Sequence, residues 1–160
     1  MECRFCSVVR GAEKAFKLGE STHCIAVLDI HPKAVGHSLV ITKKHYKKIT
    51  EMPGEELHDA IDLACRLEEA ILSALHCGGI ELRQNYYPFI PENEYRLDHV
   101  HFHLVPREKN DALWRNPSTR LKPTEHELEE TAEKIRRALK QKQFKLNQTP
   151  SDTASQTKLI

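Results

Sequence analysis

Short apolar segments alternate along the chain with longer amphipathic ones, which is typical of a domain that mixes strands and helices. Residues 24–28 (CIAVL) and 38–42 (SLVIT) are apolar and rich in β-branched side chains, so they predict two buried strands. Residues 80–84 predict a third. Residues 99–105 (HVHFHLV) alternate polar and apolar positions, which predicts a fourth strand with one apolar face.

The first predicted helix begins near Pro53, a residue type that suits the first helical turn. Apolar side chains then recur at helical spacing as far as Leu75, with charged side chains between them. The pair Gly78-Gly79 predicts the end of this helix.

A second helix is predicted at residues 124–142, as a C-terminal extension. Thr124 and Glu127 have the spacing of a capping box, and an apolar stripe follows them at Leu128, Ile135 and Leu139. Residues 146–160 are rich in Ser, Thr and Gln, with little to bury, so we expect a disordered tail. The expected domain therefore spans residues 1–145.

Composition narrows the classes of function. The chain has 160 residues, with 24 Lys and Arg against 23 Asp and Glu, a net charge of +1. This balance argues against a general nucleic-acid or membrane-surface binder. The chain shows no run of the roughly 18 apolar residues that a spanning helix needs. The first residues, MECRFCSVVRG, lack the apolar stretch of a secretory signal. We therefore expect a cytoplasmic protein, and five cysteines disfavour a full disulfide framework.

The most informative chemistry lies in the fourth predicted strand. His99, His101 and His103 are two residues apart, so their side chains share one face while the apolar residues between them face the core. Imidazoles on such a strand need partners, because burying a polar group without a hydrogen bond is costly. Metal binding and nucleophilic catalysis both fit a row of imidazoles. The spacing alone does not choose between them.

Cys3 and Cys6 form a Cys-x-x-Cys pair, a spacing found in metal knuckles and in redox dithiols. The chain has no second such pair, so two further ligands would have to be histidines, for which His45 and His99 are candidates. A closed site of two cysteines and two histidines would be structural, since catalytic zinc keeps an open position. The alternative is a pair of free thiols near a loose N-terminus.

Together these residues resemble the histidine triad (HIT) family, in its bacterial type with an N-terminal Cys-x-x-Cys zinc site. The resemblance covers residues 3–107, and its motifs follow the family's order. They are Cys3-x-Phe-Cys6, Asp29-Ile-His-Pro32, Val35-Gly-His37-Ser-Leu-Val-Ile, Lys43-Lys-His45 and His99-Val-His-Phe-His-Leu-Val-Pro106-Arg107.

The resemblance implies an α+β fold of the HIT type. It consists of a five-stranded antiparallel sheet with one long and one C-terminal helix, usually in a homodimer. The implied activity is phosphoramidase-like. Such proteins bind a purine nucleotide and cleave at the α-phosphate of nucleoside phosphoramidates or dinucleoside polyphosphates. The reaction passes through a nucleotidyl-histidine and releases a nucleoside monophosphate. No organic cofactor is implied.

The resemblance also assigns roles to individual residues. His101 would be the nucleophile, and His103 and His37 would complete the catalytic group beside the phosphate. Asp29 would accept hydrogen bonds from the ribose hydroxyls, and Asn85 would face the phosphate. A structural zinc ion would be held by Cys3, Cys6, His45 and His99.

One stretch departs from the family's pattern. A Gly-Gln-Ser/Thr sequence commonly precedes the triad, whereas this chain has Glu94-Tyr95-Arg96 there. Arg96 could replace a neutral donor with a charged one and bind the phosphate. It could equally be a solvated loop residue. Substrate choice depends on which interpretation holds.

Three functions therefore remain open. The first is a HIT-type nucleotidyl hydrolase or transferase. The second is a non-catalytic, zinc-stabilised interaction protein that binds nucleotides. The third is a hydrolase with catalytic zinc on all three triad histidines. Nothing after Arg107 resembles a nucleic-acid module, so we expect no dedicated nucleic-acid partner and no membrane partner.

Overall fold

The computed structural model describes residues 3–91 and 97–146, with side chains as far as residue 141. The described chain is α+β. In chain order its elements are α1 (Arg4–Val9), β1 (Lys17–Glu20), β2 (Cys24–Leu28), β3 (Ser38–Thr42), α2 (Gly54–Leu75), β4 (Gly79–Gln84), β5 (His101–Arg107) and α3 (Glu125–Leu146). Single 3₁₀ turns lie at Ile49–Glu51 and Ala112–Trp114.

The five strands form one antiparallel sheet in the order β1-β2-β3-β5-β4. This confirms the fold class that the resemblance implied. The hydrophobic pattern predicted four of these strands and missed β1. Its sequence, KLGE, is short and charged at both ends, and it lies at an edge of the sheet with only Leu18 buried.

The histidine strand begins two residues later than its pattern predicts. Its alternation starts at His99, but β5 begins at His101. Just before the strand, the Val100 amide donates to the Tyr46 carbonyl oxygen at 2.7 Å, instead of to a neighbouring strand. His99 therefore lies in a bend that leads into β5.

Helices α2 and α3 cover one face of the sheet. Leu67 and Ile71 of α2 are fully buried against Phe102 and Leu104 of β5 in one apolar cluster. Ile135 of α3 belongs to the same cluster, together with Ala132 and Ala138. The C-terminal helix therefore completes the core of this subunit.

The opposite face of the sheet holds a smaller apolar cluster. Its buried members are Ile25 and Val27 of β2 and Leu39 and Ile41 of β3, and Phe5 and Val8 of α1 pack against them. Leu39 and Ile41 lie directly opposite His103 and His101 in the β3–β5 register. The triad side chains consequently share their face with this cluster, beneath α1.

The two long helices begin where the sequence predicts, but α2 ends before the predicted position. The Thr124 hydroxyl accepts from the Glu127 amide at 3.2 Å, and the Glu127 carboxylate accepts from the Thr124 amide at 2.7 Å, which confirms the capping box. Helix α2 ends at Leu75, where His76 takes a left-handed conformation with φ of 54°. The helix therefore ends before Gly78-Gly79, the end that the sequence predicted.

Two sequence-based expectations fall outside the described residues. Arg96 is one, and residues 147–160 of the tail expected at 146–160 are the other; both remain predictions, as does the domain boundary at residue 145. Helix α3 continues to Leu146, past the predicted helix end at residue 142. Within the described chain, none of the helices combines the length and apolar character needed to cross a membrane.

The Leu67 side chain tests the main core. Leu67 is fully buried, whereas Ile61, on the same helix, is 38% exposed. Leu67→Ala should lower the free energy of unfolding by about 2–5 kcal/mol, because it leaves a cavity between α2 and the sheet. Ile61→Ala is the matched control and should change it by less than about 1 kcal/mol. Urea unfolding of both variants measures this. Equal losses would contradict the packing described here.

Candidate active site and metal cluster

Two imidazoles of β5 lie side by side on the sheet face beneath α1. The ring centroids of His101 and His103 are 4.7 Å apart, and both residues are buried, with 7% and 8% of their surface exposed. Phe5 of α1 packs edge-on against His101, with the centroids 4.9 Å apart. The strand register and α1 together fix the pair in position.

The protonation of His101 follows from one backbone contact. Its Nδ1 lies 2.6 Å from the carbonyl oxygen of His99. A carbonyl oxygen can only accept, so Nδ1 carries the proton and Nε2 has a lone pair. Burial lowers the pKa of His101, which favours the uncharged imidazole at neutral pH. Its Nε2 atom is thus available as a nucleophile.

Two hydrogen bonds in series, here called the relay, fix the opposite tautomer of His103. The Lys33 amide donates to Nδ1 of His37 at 3.1 Å, so the proton of His37 is on Nε2. That Nε2 lies 3.0 Å from Nδ1 of His103, which must accept. The remaining proton of His103 is therefore on Nε2, where it can be donated to a substrate oxygen.

Burial keeps both members of the relay uncharged. It lowers the pKa of His37 to about 4, with Asp29 opposing the shift and the charges of Arg120, Arg83 and Lys33 adding to it. Burial also lowers the pKa of His103, assisted by the neighbouring His101 and His37.

Asp29 follows β2 in a tight turn. One carboxylate oxygen accepts from the His31 amide at 2.8 Å, so Asp29 does cap the turn. The other oxygen lies 3.3 Å from Nδ1 of His37. Since that nitrogen has no proton to donate, the second oxygen retains its capacity to accept from a ligand.

A cleft, here called the α1 cleft, joins these groups. Its lining includes the polar groups Asp29, His101 and His103. It also includes apolar side chains of α1 and of the two central strands, among them Phe5, Val8, Val27, Leu39 and Ile41. The cleft therefore offers both apolar surface and hydrogen-bonding groups.

A second cleft, here called the β4 cleft, also reaches His101 and His103. Asn85, which follows β4, lines it and so lies near the imidazole pair as its predicted role requires. Arg83 and Arg120 line it too, and sequence reasoning identified neither. Arg83 lies within a predicted strand and belongs to no motif, so nothing in the sequence singled it out. Its register opposite His103 places it on the triad face. Arg120 comes from an irregular segment without a motif.

The other predicted group is brought together at the N-terminal end of α1. Cys3 Sγ lies 3.4 Å from His99 Nδ1, and Cys6 Sγ lies 3.6 Å from the same atom. Cys6 Sγ is also 3.4 Å from Nδ1 of His45. The four ligand atoms all lie within 4.8 Å of one another.

These four residues fit a tetrahedral metal ion. Zn–S and Zn–N bonds of about 2.3 and 2.05 Å at a tetrahedral angle place sulfur and nitrogen roughly 3.6 Å apart, close to the separations in this cluster. The ring of His99 is also oriented for ligation. Its Nε2 donates to the Thr42 carbonyl oxygen at 2.8 Å, which leaves Nδ1 facing the sulfurs. Burial lowers the pKa of His99 to about 4, so this ligand is uncharged.

The three triad histidines do not converge on one metal ion within the described chain. His99 belongs to the cysteine cluster, and Nδ1 of His101 is hydrogen-bonded to a carbonyl oxygen. A second group of Asp29, His37 and His103 has ligand-like spacing, but its two facing imidazole nitrogens are already joined by a hydrogen bond. The hypothesis of a three-histidine zinc hydrolase is therefore not supported.

Comparison with known proteins places this arrangement in a family. Residues 10–110 match the family model of the HIT domain. The adenosine 5′-monophosphoramidase of Saccharomyces cerevisiae is 36% identical over 109 residues, which are 66% of this chain and 62% of that protein. The adenylylsulfatase of Arabidopsis thaliana is 31% identical over 119 residues, 74% of this chain and 59% of that protein. The chain thus spans about 60% of the length of these two relatives.

A solved structure shows the same fold with metal. The Zn-bound histidine triad family protein from Mycobacterium smegmatis is 31% identical, with a TM-score of 0.76 over 91% of this chain and 98% of that one.

The buried, uncharged His37 predicts a pH effect on stability. In the unfolded chain the pKa of His37 is about 6.5, so the unfolded state binds a proton below this pH. In the folded state His37 binds that proton only near pH 4. Stability should therefore fall with acidity, by about 2 kcal/mol from this group between pH 7.5 and pH 5. His37→Gln should flatten the slope by that amount, whereas His58→Gln, on the exposed side of α2, should not. Chemical unfolding across this range measures it, and identical slopes in all three proteins would exclude the assignment.

Proposed function

The chain belongs to the HIT family, and we propose that it is a nucleotidyl hydrolase or transferase. It would release a nucleoside monophosphate by cleaving at the α-phosphorus of phosphoramidates or dinucleoside polyphosphates. The observation that carries the proposal is the pairing of opposite tautomers: a lone pair on His101 Nε2 beside an N–H donor on His103. One group can attack phosphorus while the other binds the oxygen that gains charge.

The relatives support an adenosine nucleotide as substrate. One is named as an adenosine 5′-monophosphoramidase and another as an adenylylsulfatase. Both names describe cleavage next to an adenylyl group, with different leaving groups.

The α1 cleft fits a nucleoside monophosphate in one orientation. The purine base would lie against the apolar side chains of α1, near Phe5 and Val8, and the ribose hydroxyls would donate to the available oxygen of Asp29. The α-phosphate would then reach the imidazole pair, where His103 donates to an oxygen. Asn85 can supply a further amide donor from the β4 cleft.

In the first chemical step, His101 Nε2 forms a bond to phosphorus while the bond to the leaving group breaks. That group departs with the electron pair, and an amine leaving group also takes up a proton from water. The His101 ring becomes cationic, and its Nδ1 proton remains hydrogen-bonded to the His99 carbonyl oxygen, which stabilises the charge. In the second step, water attacks phosphorus and loses a proton, and the N–P bond breaks. The products are the nucleoside monophosphate and neutral His101.

Cys3, Cys6, His45 and His99 would hold a structural zinc ion. A closed tetrahedral zinc site contributes folding free energy and leaves no position for substrate. Here it would fix α1, and with it Phe5, against the sheet.

We also propose a homodimer. Strand β4 pairs only with β5 within the described chain, which leaves its other edge open. Leu82 on this strand and Phe89 in the loop beyond it are 42% and 80% exposed. An open edge with exposed apolar side chains suits pairing with a second copy.

Substitution of His101 tests the proposed activity. Wild-type protein should release AMP from adenosine 5′-phosphoramidate or a dinucleoside polyphosphate. His101→Ala should lose at least about a thousandfold in rate, because its nucleophile is absent. His58→Ala, which alters an exposed histidine of α2, is the control. Chromatography of the released AMP measures the rate.

If wild type and His101→Ala show the same background while both bind AMP, the hydrolase proposal fails. The non-catalytic nucleotide-binding protein then becomes the better description.

Substitution of Cys6 tests the metal. Wild-type protein should contain about one zinc ion per chain, and Cys6→Ser should lose it, with a lower melting temperature. Cys65→Ser removes an exposed thiol of α2 and should keep both values. Elemental analysis and calorimetry provide the measurements. Zinc retained in Cys6→Ser would rule out the four-residue site.

A further inference from the structure

A group of cations in the β4 cleft has no role in the activity proposed above. The α1 cleft and the β4 cleft share His101, His103 and Arg120, and the β4 cleft continues from them toward β4. Besides Arg120, its lining includes Arg83, Lys33 and Lys47. Four cations and the imidazole pair thus line one cleft.

The arginines are held in position by the fold. Arg83 lies directly opposite His103 in the β4–β5 register, so its side chain leaves the sheet on the triad face. Arg120 donates to the His31 carbonyl oxygen at 2.9 Å and reaches within 3.8 Å of the Asp29 carboxylate. Both guanidiniums are about two-thirds buried.

Nearby carboxylates only partly balance these charges. Glu81 lies 3.2 Å from Arg83, but it makes a closer contact of 2.5 Å with Arg107 on the other side. Asp98 is the one carboxylate among the described residues that line the β4 cleft. The described residues that line the cleft thus include four cations and one carboxylate, and Glu81 and Asp29 also pair with its two arginines.

The cations also act on one another. The pKa of Lys33 is lowered by burial first, and then by the charges of Arg83 and Arg120. Like charges that face each other across a half-buried cleft are destabilising unless an anion lies between them. The β4 cleft thus has the electrostatic character of an anion site.

We propose that the β4 cleft binds the leaving group of the reaction, and that this leaving group is an oxyanion: sulfate, phosphate or a polyphosphate chain. The inference rests on the proposed function, because it names the half of the substrate that lies beyond the α-phosphorus. The adenylyl half occupies the α1 cleft, and the bond that breaks lies over the imidazole pair that the two clefts share.

Substrates with an oxyanion leaving group differ from phosphoramidates in what the leaving group needs when its bond to phosphorus breaks. When a P–O bond to sulfate or phosphate breaks, the bridging oxygen takes the electron pair and gains negative charge, which nearby guanidiniums stabilise without a proton transfer. When a P–N bond breaks, the nitrogen must also take up a proton to leave as a neutral amine. A cationic cleft assists the first departure and opposes a positively charged nitrogen in the second.

The test compares three adenylyl substrates that differ only in leaving group. Adenosine 5′-phosphoramidate has an amine, adenylyl sulfate has sulfate, and diadenosine tetraphosphate has a polyphosphate chain. The ratio of kcat/KM for each anionic substrate to that for the phosphoramidate is measured in wild type, Arg83→Gln and Arg120→Gln. Arg137→Gln is the matched control, since Arg137 also pairs with one glutamate, Glu133, but on the exposed face of α3.

Both ratios should exceed one in wild type and fall at least about tenfold in Arg83→Gln and Arg120→Gln, as expected for the loss of a charge-assisted hydrogen bond. Arg137→Gln should leave them unchanged. A fall for adenylyl sulfate alone identifies sulfate as the leaving group, and a fall for the tetraphosphate alone identifies a polyphosphate. Ratios unaffected by both arginine substitutions, with the phosphoramidate still cleaved, would overturn the inference while the proposed function stands.

If no substrate is cleaved, a binding measurement tests the anion site separately from the proposed hydrolase activity. Calorimetry on His101→Ala compares the Kd of diadenosine tetraphosphate and adenylyl sulfate with that of AMP. At least one should bind about tenfold more tightly than AMP, and Arg83→Gln in the same background should remove the difference. An anion site without turnover would then remain, and the hydrolase proposal alone would fail. Equal affinities for all three ligands would contradict the anion site.

Discussion

The chemistry of this site depends on a hydrogen bond from a side chain to the backbone just before its strand: Nδ1 of His101 to the carbonyl oxygen of His99. Imidazole has two nitrogens, and a buried ring without fixed partners could present either a proton or a lone pair to a ligand. The backbone removes that ambiguity for His101. The relay from the Lys33 amide through His37 removes it for His103, with the opposite result. Two chemically identical side chains on one strand face thus have different tautomers.

The two clefts that meet at this pair differ in their lining. Apolar residues of α1, β2 and β3 line the α1 cleft, together with charged side chains that include Arg120. Arg83 and two lysines line the β4 cleft, which Arg120 also lines. Burial holds the histidines uncharged, and the charges near them are of both signs: the Asp29 carboxylate acts on His101, and Arg83 and Arg120 act on His103. The site therefore combines uncharged imidazoles with nearby guanidiniums and one carboxylate, a combination suited to phosphoryl chemistry.

Sequence reasoning reached the parts of the molecule that depend on local pattern. The strands at 24–28 and 38–42 have the predicted bounds, and the capping box of Thr124 starts α3 as expected. Strand β1 was not predicted, because an edge strand of four residues needs little hydrophobic pattern. Arg120 escaped because its position is set by tertiary contacts of an irregular segment: its neighbour Leu121 donates to the Pro32 carbonyl oxygen. The tautomers could not be predicted, since they depend on interatomic distances.

Phe5 lies between the two cysteines in sequence and against His101 in space, so one wall of the α1 cleft is part of a six-residue helix. A helix of that length has little stability of its own in water. Its persistence depends on its apolar packing against β2 and β3 and on what holds the residues at Cys3 and Cys6. If the proposed metal ion holds those residues, the wall would have an opening equilibrium of its own, separate from the global unfolding of the sheet. The residence time of the metal would then set how long the wall of the cleft stays closed.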